Sequence, residues 1–412
     1  MRKGSPATQR VRARLGMALT ALRVPGYALF LASSGATGIA WSASLVAIGW
    51  IALQLSDSSL AVGATFAARL LPALLVGIPF GAVADRLDRR RALIVTNAAA
   101  SVIYLALALR ASVGALGLAD LLIASAVLGV TDTMRGTLAQ TYAVDLAGRA
   151  AAINAIALSN LGAMSFGVVG AALGGVVLDQ AGPAATFLLA ATAVAAAGLV
   201  LLAGGRPEYT APPRRLPDVH MWSSMTILAR NRVVALIAVI VILGEVLGFS
   251  SLTVIPAFAR DVLHADAAGF GTISAARSLG GVLSGIALAS TMREHDGPWM
   301  IGVTALFGLA FLAFAAIPLF VLSVVLSVVI GAAASSLDTL GQTLIQRNVE
   351  DHERGAAMGI WFFGIGFGPF GHLGAGAATA LLGPAVVLAV SGALLVTATG
   401  AIALRTDPRR LG

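Results

Sequence analysis

Six ionisable side chains lie inside long apolar stretches of this sequence, where they can do chemistry that the residues around them cannot. They are three acids and three arginines: Asp132, Glu245, Asp338, Arg69, Arg135 and Arg277. A buried carboxyl group can take up and release a proton, and a guanidinium group can bind an anion or hold an acid ionised. Each such charge costs roughly 2.5–3.5 kcal/mol in an apolar span, even on a lenient scale. We therefore expect these side chains to face one another or a water-filled cavity.

The three acids differ in their sequence neighbours, and this difference ranks them as proton carriers. Glu245 has no arginine in its own apolar stretch, so burial favours its neutral form and makes it the first candidate. Asp132 is the second, because Arg135 shares its helical face and can hold it ionised until the pair separates. Asp338 is the third, since it lies towards one end of its stretch. A structural ion pair or polar clamp is the alternative for each acid.

The arginines and the uncharged polar residues have two interpretations each. Arg69 and Arg277 both follow two alanines, and this duplication favours an architectural role at an outer gate over binding of an anionic substrate. Three asparagines and one histidine also fall in apolar stretches: Asn97, Asn154, Asn160 and His372. We expect hydrogen bonds between helices from these, with proton transfer by His372 as the alternative.

The composition identifies the elements that must hold these groups. The chain has 412 residues, of which 58% are hydrophobic and 11% charged, and its mean hydropathy is +0.91. A soluble domain carries about 25% charged residues, so this chain lacks the polar surface that a water-exposed globule needs. The absence of cysteine excludes disulfides and thiolate chemistry. The sequence therefore predicts an all-α membrane protein.

A membrane helix needs roughly 20 mostly apolar residues, and the sequence contains twelve such stretches. Pro318 and the pair Gly383 and Pro384 divide two runs that are too long for one crossing. The predicted spans are 26–54, 61–84, 92–110, 119–143, 150–178, 184–204, 233–259, 267–291, 298–317, 319–345, 355–382 and 384–404.

Basic residues set the predicted orientation. With the N-terminus placed in the cytoplasm, 22 of the 27 basic residues fall on the cytoplasmic side and two outside. The strong asymmetry predicts a multi-pass protein of the cell membrane with both termini in the cytoplasm. It also assigns the net charge of +8 to topology and contact with anionic lipid rather than to nucleic acid.

The two halves of the sequence repeat. Residues 63–78 align with 271–286, and residues 132–140 align with 338–346, which places equivalent segments in spans 2 and 8 and in spans 4 and 10. We therefore expect two six-helix bundles related by a pseudo-twofold axis along the membrane normal, an arrangement of alternating-access carriers. The predicted domains are 1–204, with a basic cytoplasmic arm, a linker 205–232 with an amphipathic segment, and 233–412.

The loop after span 2 resembles the signature of the major facilitator superfamily, G-x-x-x-D-R-x-G-R-R. Residues 81–91 read GAVADRLDRRR, with Asp88 in place of the second glycine. The resemblance implies a major facilitator fold and a cytoplasmic latch. In that latch the glycine allows close helix packing, the aspartate caps a helix of the opposite half, and the arginines close the cytoplasmic side. These roles fall on Gly81, Asp85, Arg86, Arg89 and Arg90.

Four further segments resemble the enterobactin-exporter-like subfamily and drug–proton antiporters. They are residues 54–63, 68–72, 84–91 and 353–361. This resemblance implies export of siderophores or drugs driven by proton entry. The sequence departs from the pattern in span 1, where residues 35–50 lack the acid that many members carry. The glycines around Gly170 and Gly174 also resemble an antiporter motif, although close helix packing explains them as well.

We therefore predict a proton-coupled exporter of an amphipathic small molecule, such as a drug, siderophore or secondary metabolite, that works by rocking of its two halves. A proton-coupled importer and a lipid or lipid-linked-glycan flippase are the alternatives within the fold. A membrane-embedded enzyme is disfavoured, because no clustered nucleophile, base or metal set appears, and a sensor is the remaining class. No cofactor, metal or nucleic acid is expected. The expected partners are the substrate, protons and membrane lipid, with the chain acting as a monomer.

Overall fold

A computed structural model describes residues 24, 26–84, 87–204, 221–291, 297–350 and 353–405. Side chains are described throughout these ranges except at 76–84, 149, 150, 153, 221–223 and 289–291. Within the described ranges the chain is almost entirely helical and forms no strand. The basic arm and the first part of the linker, both identified from the sequence, lie outside these ranges.

Within the described ranges the chain forms twelve helical segments, α1 to α12. In order they are Tyr27–Ser56, Ser59–Ala84, Arg89–Ser112, Leu118–Gly148, Asn154–Ala203, Met221–Arg230, Arg232–Asp261, Ala267–Thr291, Gly297–Ala316, Phe320–Arg347, Arg354–Leu382 and Pro384–Arg405. The short α6 is the amphipathic end of the predicted linker, and it packs on α11, where the Ser224 hydroxyl donates to the Ala356 carbonyl.

Nine helices in the described part of the chain are long and apolar enough to cross a membrane. One of them, α5, has 50 residues and bends at Gly182, where φ is +78° and Pro183 follows. Gly148 breaks the helix between α4 and α5 in the same way, with φ at +74°. These left-handed positions suit glycine and end a helix without a long loop. The all-α membrane fold predicted from the sequence is confirmed, and the count of twelve spans stays a prediction.

Small residues let α1 and α5 approach closely. A methyl group on Gly38 would lie 2.1 Å from the carbonyl oxygen of Ala163, and one on Gly170 would lie 2.4 Å from that of Ile39. Gly174 meets the backbone of Ala43 in the same groove. Backbone contacts of this kind are how membrane helices associate, and they account for the glycines that resemble an antiporter motif.

The two ends of the bundle differ in charge. The end at which α1 begins and α12 ends, here called the basic face, carries Arg89 to Arg91, Arg230 and Arg354. The end at which α1 meets α2, here called the opposite face, carries the loops around Asp57 and Asp266. The sequence assigns the basic face to the cytoplasm.

The two halves of the chain meet between the middle of the bundle and the opposite face. Gly175 of α5 and Gly271 of α8 touch through their backbones, and a methyl group on Gly63 of α2 would lie 2.4 Å from the His372 carbonyl oxygen of α11. A methyl group on Gly376, also in α11, would lie 2.6 Å from the Ser59 carbonyl oxygen of α2. The contacts therefore join α5 to α8 and α2 to α11, the pairing expected of a duplicated bundle.

Side chains close the interface at the opposite face. Trp50 of α1 stacks on Phe270 of α8 at a centroid distance of 5.8 Å. Arg260 of α7 forms a 2.7 Å ion pair with Asp57. At the basic face, Arg89 and Arg230 form ion pairs with Asp145 and Glu353, residues of their own half.

Candidate functional site

The first half holds a buried ion pair between α2 and α4. Both Nε and Nη2 of Arg69 donate to Oδ2 of Asp132, at 3.0 and 2.9 Å. The guanidinium group also donates to Ser44 of α1 at 3.1 Å and to Tyr104 of α3 at 3.3 Å. Arg69 is only 6% exposed, and its charge is satisfied by four hydrogen bonds to residues of three other helices. This network explains why the costly charge is tolerated at this depth.

Asp132 is shared with a second arginine. Its other oxygen, Oδ1, accepts a bond from Nη2 of Arg135 at 3.1 Å, one helical turn along α4. The sequence predicted the pairing of Asp132 with Arg135, but it gave no signal for the bond to Arg69, which is 63 residues away. Two guanidinium groups around one carboxylate leave this cluster with one excess positive charge.

The second half repeats only part of this arrangement. Arg277 of α8 donates to Ser251 of α7 at 2.9 Å, as Arg69 does to Ser44. Gly331 of α10 packs against the Arg277 carbonyl, as Gly129 of α4 packs against that of Arg69. The acid of the second half is displaced relative to that of the first, however. Asp132 follows Gly129 by three residues in α4, whereas Asp338 follows Gly331 by seven in α10. That difference moves Asp338 by about 6 Å along its helix, and Arg277 and Asp338 form no ion pair.

Glu245 occupies a distinctive local structure. It lies in a π-helical turn, Gly244–Phe249, that interrupts α7, and turns of this kind are frequent at functional sites. Its side chain is 9% exposed, and its carboxylate makes no hydrogen bond or ion pair with any residue in the described ranges. A methyl group on Gly368 of α11 would lie 3.4 Å from both Oε2 of Glu245 and a methyl carbon of Leu70, which belongs to the first half. The carboxylate therefore lies beside the contact between the halves.

Asp338 and Trp361 lie near Glu245. Asp338 is close enough to Glu245 to interact with it electrostatically, and the indole of Trp361 lies beside the Asp338 carboxyl group. The indole nitrogen is buried without a hydrogen-bond partner of good geometry. The two acids thus form one cluster, which the sequence did not predict as a pair, because their helices α7 and α10 are distant in the chain.

His372 makes the bond between helices that the sequence predicts. Its Nδ1 lies 2.8 Å from the hydroxyl oxygen of Thr253, and the ring is 3% exposed. The ring also packs against Phe66 of the first half at a centroid distance of 5.6 Å. His372 therefore ties α11 to α7 at the interface.

The latch motif is described in part. Asp85 and Arg86 lie outside the described residues, and Gly81 falls in the last turn of α2, where side chains are not described. Arg89 forms a buried ion pair with Asp145 of α4. Arg90 donates to the carbonyl oxygens of Leu201 and Leu202 at the end of α5, both at 2.9 Å. These two arginines bind helices of their own half, and their role in closing the basic face stays a prediction.

The described residues contain no group of three or more metal-ligating side chains. What the geometry offers is a set of ionisable groups at the centre of an apolar bundle. One excess arginine lies in the first half, and two acids without ion pairs lie in the second. Such a set can exchange protons or bind a charged group within a bundle of two halves.

Curated relatives with matching sequences are transporters. The chain is 28% identical to the enterobactin exporter EntS of Salmonella typhi over 304 residues, covering 70% of each chain. It is 27% identical to the multidrug efflux pump Tap of Mycobacterium tuberculosis over 385 residues, covering 89% of this chain and 90% of that one. It is 22% identical to the staphyloferrin A transporter of Staphylococcus aureus over 337 residues, covering 80% and 83%.

Solved structures agree in fold. The nucleoside transporter NupG superposes with a TM-score of 0.72 at 16% identity, covering 92% of this chain and 98% of that one. A bacterial homolog of the lysosomal transporter Spinster, in an inward-facing and unoccupied conformation, gives 0.70 at 15% identity and covers 99% and 98%. These matches are transporters rather than enzymes. The family model of the Major Facilitator Superfamily matches residues 30–294 and 246–412, and the chain therefore belongs to this superfamily of multi-pass membrane transporters.

Proposed function

We propose that this transporter is a proton-coupled exporter of an amphipathic small molecule and that Glu245 carries the proton. The observation that carries this proposal is the placement of Glu245. Its carboxylate is buried in a π-helical turn, has no cationic partner in the described ranges, and lies beside the contact between the two halves. Acids within membrane spans commonly act in proton relays.

The geometry also suggests how protonation affects the halves. When Glu245 and Asp338 are both ionised, their mutual repulsion and the burial of Glu245 disfavour a closed interface around them. Protonation of Glu245 removes one charge and allows the second half to close against Leu70 and its neighbours. Release of the proton on the other side of the membrane restores the charge and favours separation. Proton movement is thereby linked to which face of the bundle is open.

Asp132 and Asp338 fit other roles better. Asp132 forms ion pairs with both Arg69 and Arg135, so we assign it to the structure of the first half. Asp338 interacts electrostatically with Glu245 and lies beside Trp361, and we assign it a supporting role at the Glu245 site. Both acids stay secondary candidates for proton transfer.

The proposed direction and substrate class depend on the relatives. Two of the matching proteins are named as an exporter and an efflux pump. Their named substrates, a siderophore and multiple drugs, support an amphipathic small molecule rather than an ion.

The test is transport in proteoliposomes that contain the purified chain, with an imposed pH gradient. The probes are three amphipathic dyes, one cationic, one neutral and one anionic. We expect gradient-driven transport of at least one dye, its loss in Glu245→Gln, and retention of gradient-independent exchange of that dye in the same variant. Asp179→Asn, at an exposed acid of the opposite face, is the control and should behave as the wild type. Unchanged gradient-driven transport in Glu245→Gln would exclude Glu245 as the proton carrier.

A further inference from the structure

A half-open cleft lies in the first half, beside the cluster of Arg69, Asp132 and Arg135. It is lined by α1, α3, α4 and α5 and has a volume of about 110 Å³. Its polar lining consists mainly of one arginine, three amides and serine hydroxyl groups, among them Arg135, Asn97, Gln140, Asn160, Ser33 and Ser34. Its apolar lining includes Phe30, Leu93 and Leu201, which are 2–3% exposed. None of these groups belongs to the proton site of the second half.

The charge of Arg135 is only partly compensated. Its one bond to a carboxylate is to Asp132, whose other oxygen already accepts two bonds from Arg69. Other acids of the first half are engaged elsewhere, since Asp145 pairs with Arg89 and Asp120 with Arg110. A guanidinium group has five N–H donors, and in the described ranges Arg135 uses one of them. The cleft therefore receives a positive charge with free donors.

Asn97 gives an independent indication of a missing ligand. Its side chain is 1% exposed and lines the cleft, yet its amide oxygen has no hydrogen-bond partner in the described part of the chain. A buried polar atom without a partner costs about 1–3 kcal/mol. The oxygen and nitrogen of an amide are assigned from their bonding partners, so Asn97 can also turn its NH₂ group towards a ligand. With the amide turned in this way, an anion beside Arg135 would accept bonds from the Asn97 NH₂ group and from the free guanidinium donors.

We propose that this cleft binds a carboxylate-sized monovalent anion, held by Arg135 and Asn97. The planar guanidinium group matches a carboxylate through paired N–H bonds. At a liquid volume of about 30 Å³ per water, the cleft has space for roughly three or four water-sized groups. It can hold a halide or a carboxylate, but drug-sized ligands need cavities of about 300–1,000 Å³. The anion is either a resident inorganic ion or the acidic end of the substrate, and only the second case rests on the proposed function.

The test is anion-dependent thermal stability of the purified full chain in detergent. Sodium chloride and sodium acetate are titrated at constant ionic strength against sodium gluconate, whose anion is bulkier than either. We expect chloride or acetate to raise the melting temperature saturably relative to gluconate. Arg135→Gln should weaken the apparent affinity by about tenfold or more, because it removes a charge-assisted bond. Arg91→Gln, at an arginine that is 71% exposed, should leave the affinity unchanged.

Two further measurements sharpen the result. Arg135→Lys keeps the charge and loses the paired N–H geometry, so it should lose affinity for acetate more than for chloride. This variant also replaces Arg135→Gln in the test if Arg135→Gln does not fold. Competition between acetate and an anionic dye, fluorescein, shows whether the bound anion is the acidic end of the substrate or a resident ion. Competition indicates a substrate carboxylate. Saturable chloride binding without competition indicates a resident ion. Equal stabilisation by all three salts, or an unchanged response in both Arg135 variants, would overturn the proposal. Because these measurements use no membrane or pH gradient, their failure is distinct from failure of proton coupling.

Discussion

The contact between α2 and α11 offers a quantitative test of how the two halves close at the opposite face. The substitution is Gly376→Ala in α11. The added methyl carbon would lie 2.6 Å from the carbonyl oxygen of Ser59, whereas ordinary contacts begin at 3.4 Å, so the helices must separate by up to about 0.8 Å (3.4 − 2.6). The clashing atoms are backbone on the α2 side, where no side-chain rotation can relieve the overlap.

The expected energy follows from this overlap. Overpacking of a well-packed contact costs about 1–3 kcal/mol. This cost applies when α2 and α11 are in contact and not when they are separated. The equilibrium constant between the closed and separated conformations should therefore shift by about 5- to 150-fold towards the separated one. The gain in helix propensity from glycine to alanine, about 0.8–1.0 kcal/mol, applies to both conformations and cancels.

The chain is well suited to measuring this shift. It has no cysteine, so the paired substitutions Gln54→Cys and Asp266→Cys would provide its only two thiols for spin labels. These exposed positions lie in different halves and line a cavity at the opposite face. Electron–electron resonance distances between the labels should show a new, longer population in the Gly376→Ala variant.

Gly374→Ala is the matched control. It makes the same chemical change two residues earlier in α11, where a methyl group would meet nothing within 4 Å. Its distance distribution should match that of the parent. An unchanged distribution in Gly376→Ala, or the same shift in both variants, would refute the idea that this contact controls closure.

Two further predictions concern stability, measured by unfolding of the purified chain. Asp132→Asn removes the partner of the buried Arg69 and should lower the free energy of unfolding by about 3–5 kcal/mol. Asp338→Asn breaks no ion pair in the described ranges and should lower it clearly less. Equal losses in the two variants would contradict the structural role assigned to Asp132. Arg89→Gln should cost about 3–5 kcal/mol because it breaks the buried ion pair with Asp145. Arg91→Gln should cost no more than about 1 kcal/mol because its pair is exposed, and an equal loss in the two variants would contradict this contrast.

The membrane fold could be predicted from the sequence because its causes are local. An apolar run of sufficient length without charge is visible residue by residue, and so are the glycine and proline breaks at Gly182 and Pro183. The π-helical turn around Glu245 was not predicted, because it depends on how α7 packs. Gly244 fits against Leu337, and Gly248 against Phe307, two residues of helices far along the chain.

The site was predicted as a set of residues but not as a set of contacts. Polarity within apolar spans is enough to single out Arg69, Asp132 and Glu245. The sequence repeat suggested that Asp338 is equivalent to Asp132, and the alignment is sound over nine residues. The repeat did not predict a difference in spacing between the halves. The glycine that packs on the arginine carbonyl precedes the acid by three residues in the first half and by seven, one helical turn more, in the second. Such a difference in helix register arises from packing and leaves no trace in a short alignment.

The resulting asymmetry bears on how substrate and proton could be coupled. Among the six charged groups singled out within the spans, the first half holds two arginines and one acid, and the second holds two acids and one arginine. The proposed anion site and the proposed proton site consequently lie in different halves. A ligand at Arg135 then need not displace a proton from Glu245 by direct competition. Coupling between them would have to pass through the relative movement of the halves, which meet at Gly368 and Leu70 beside Glu245 and at Gly63 and Gly376 closer to the opposite face.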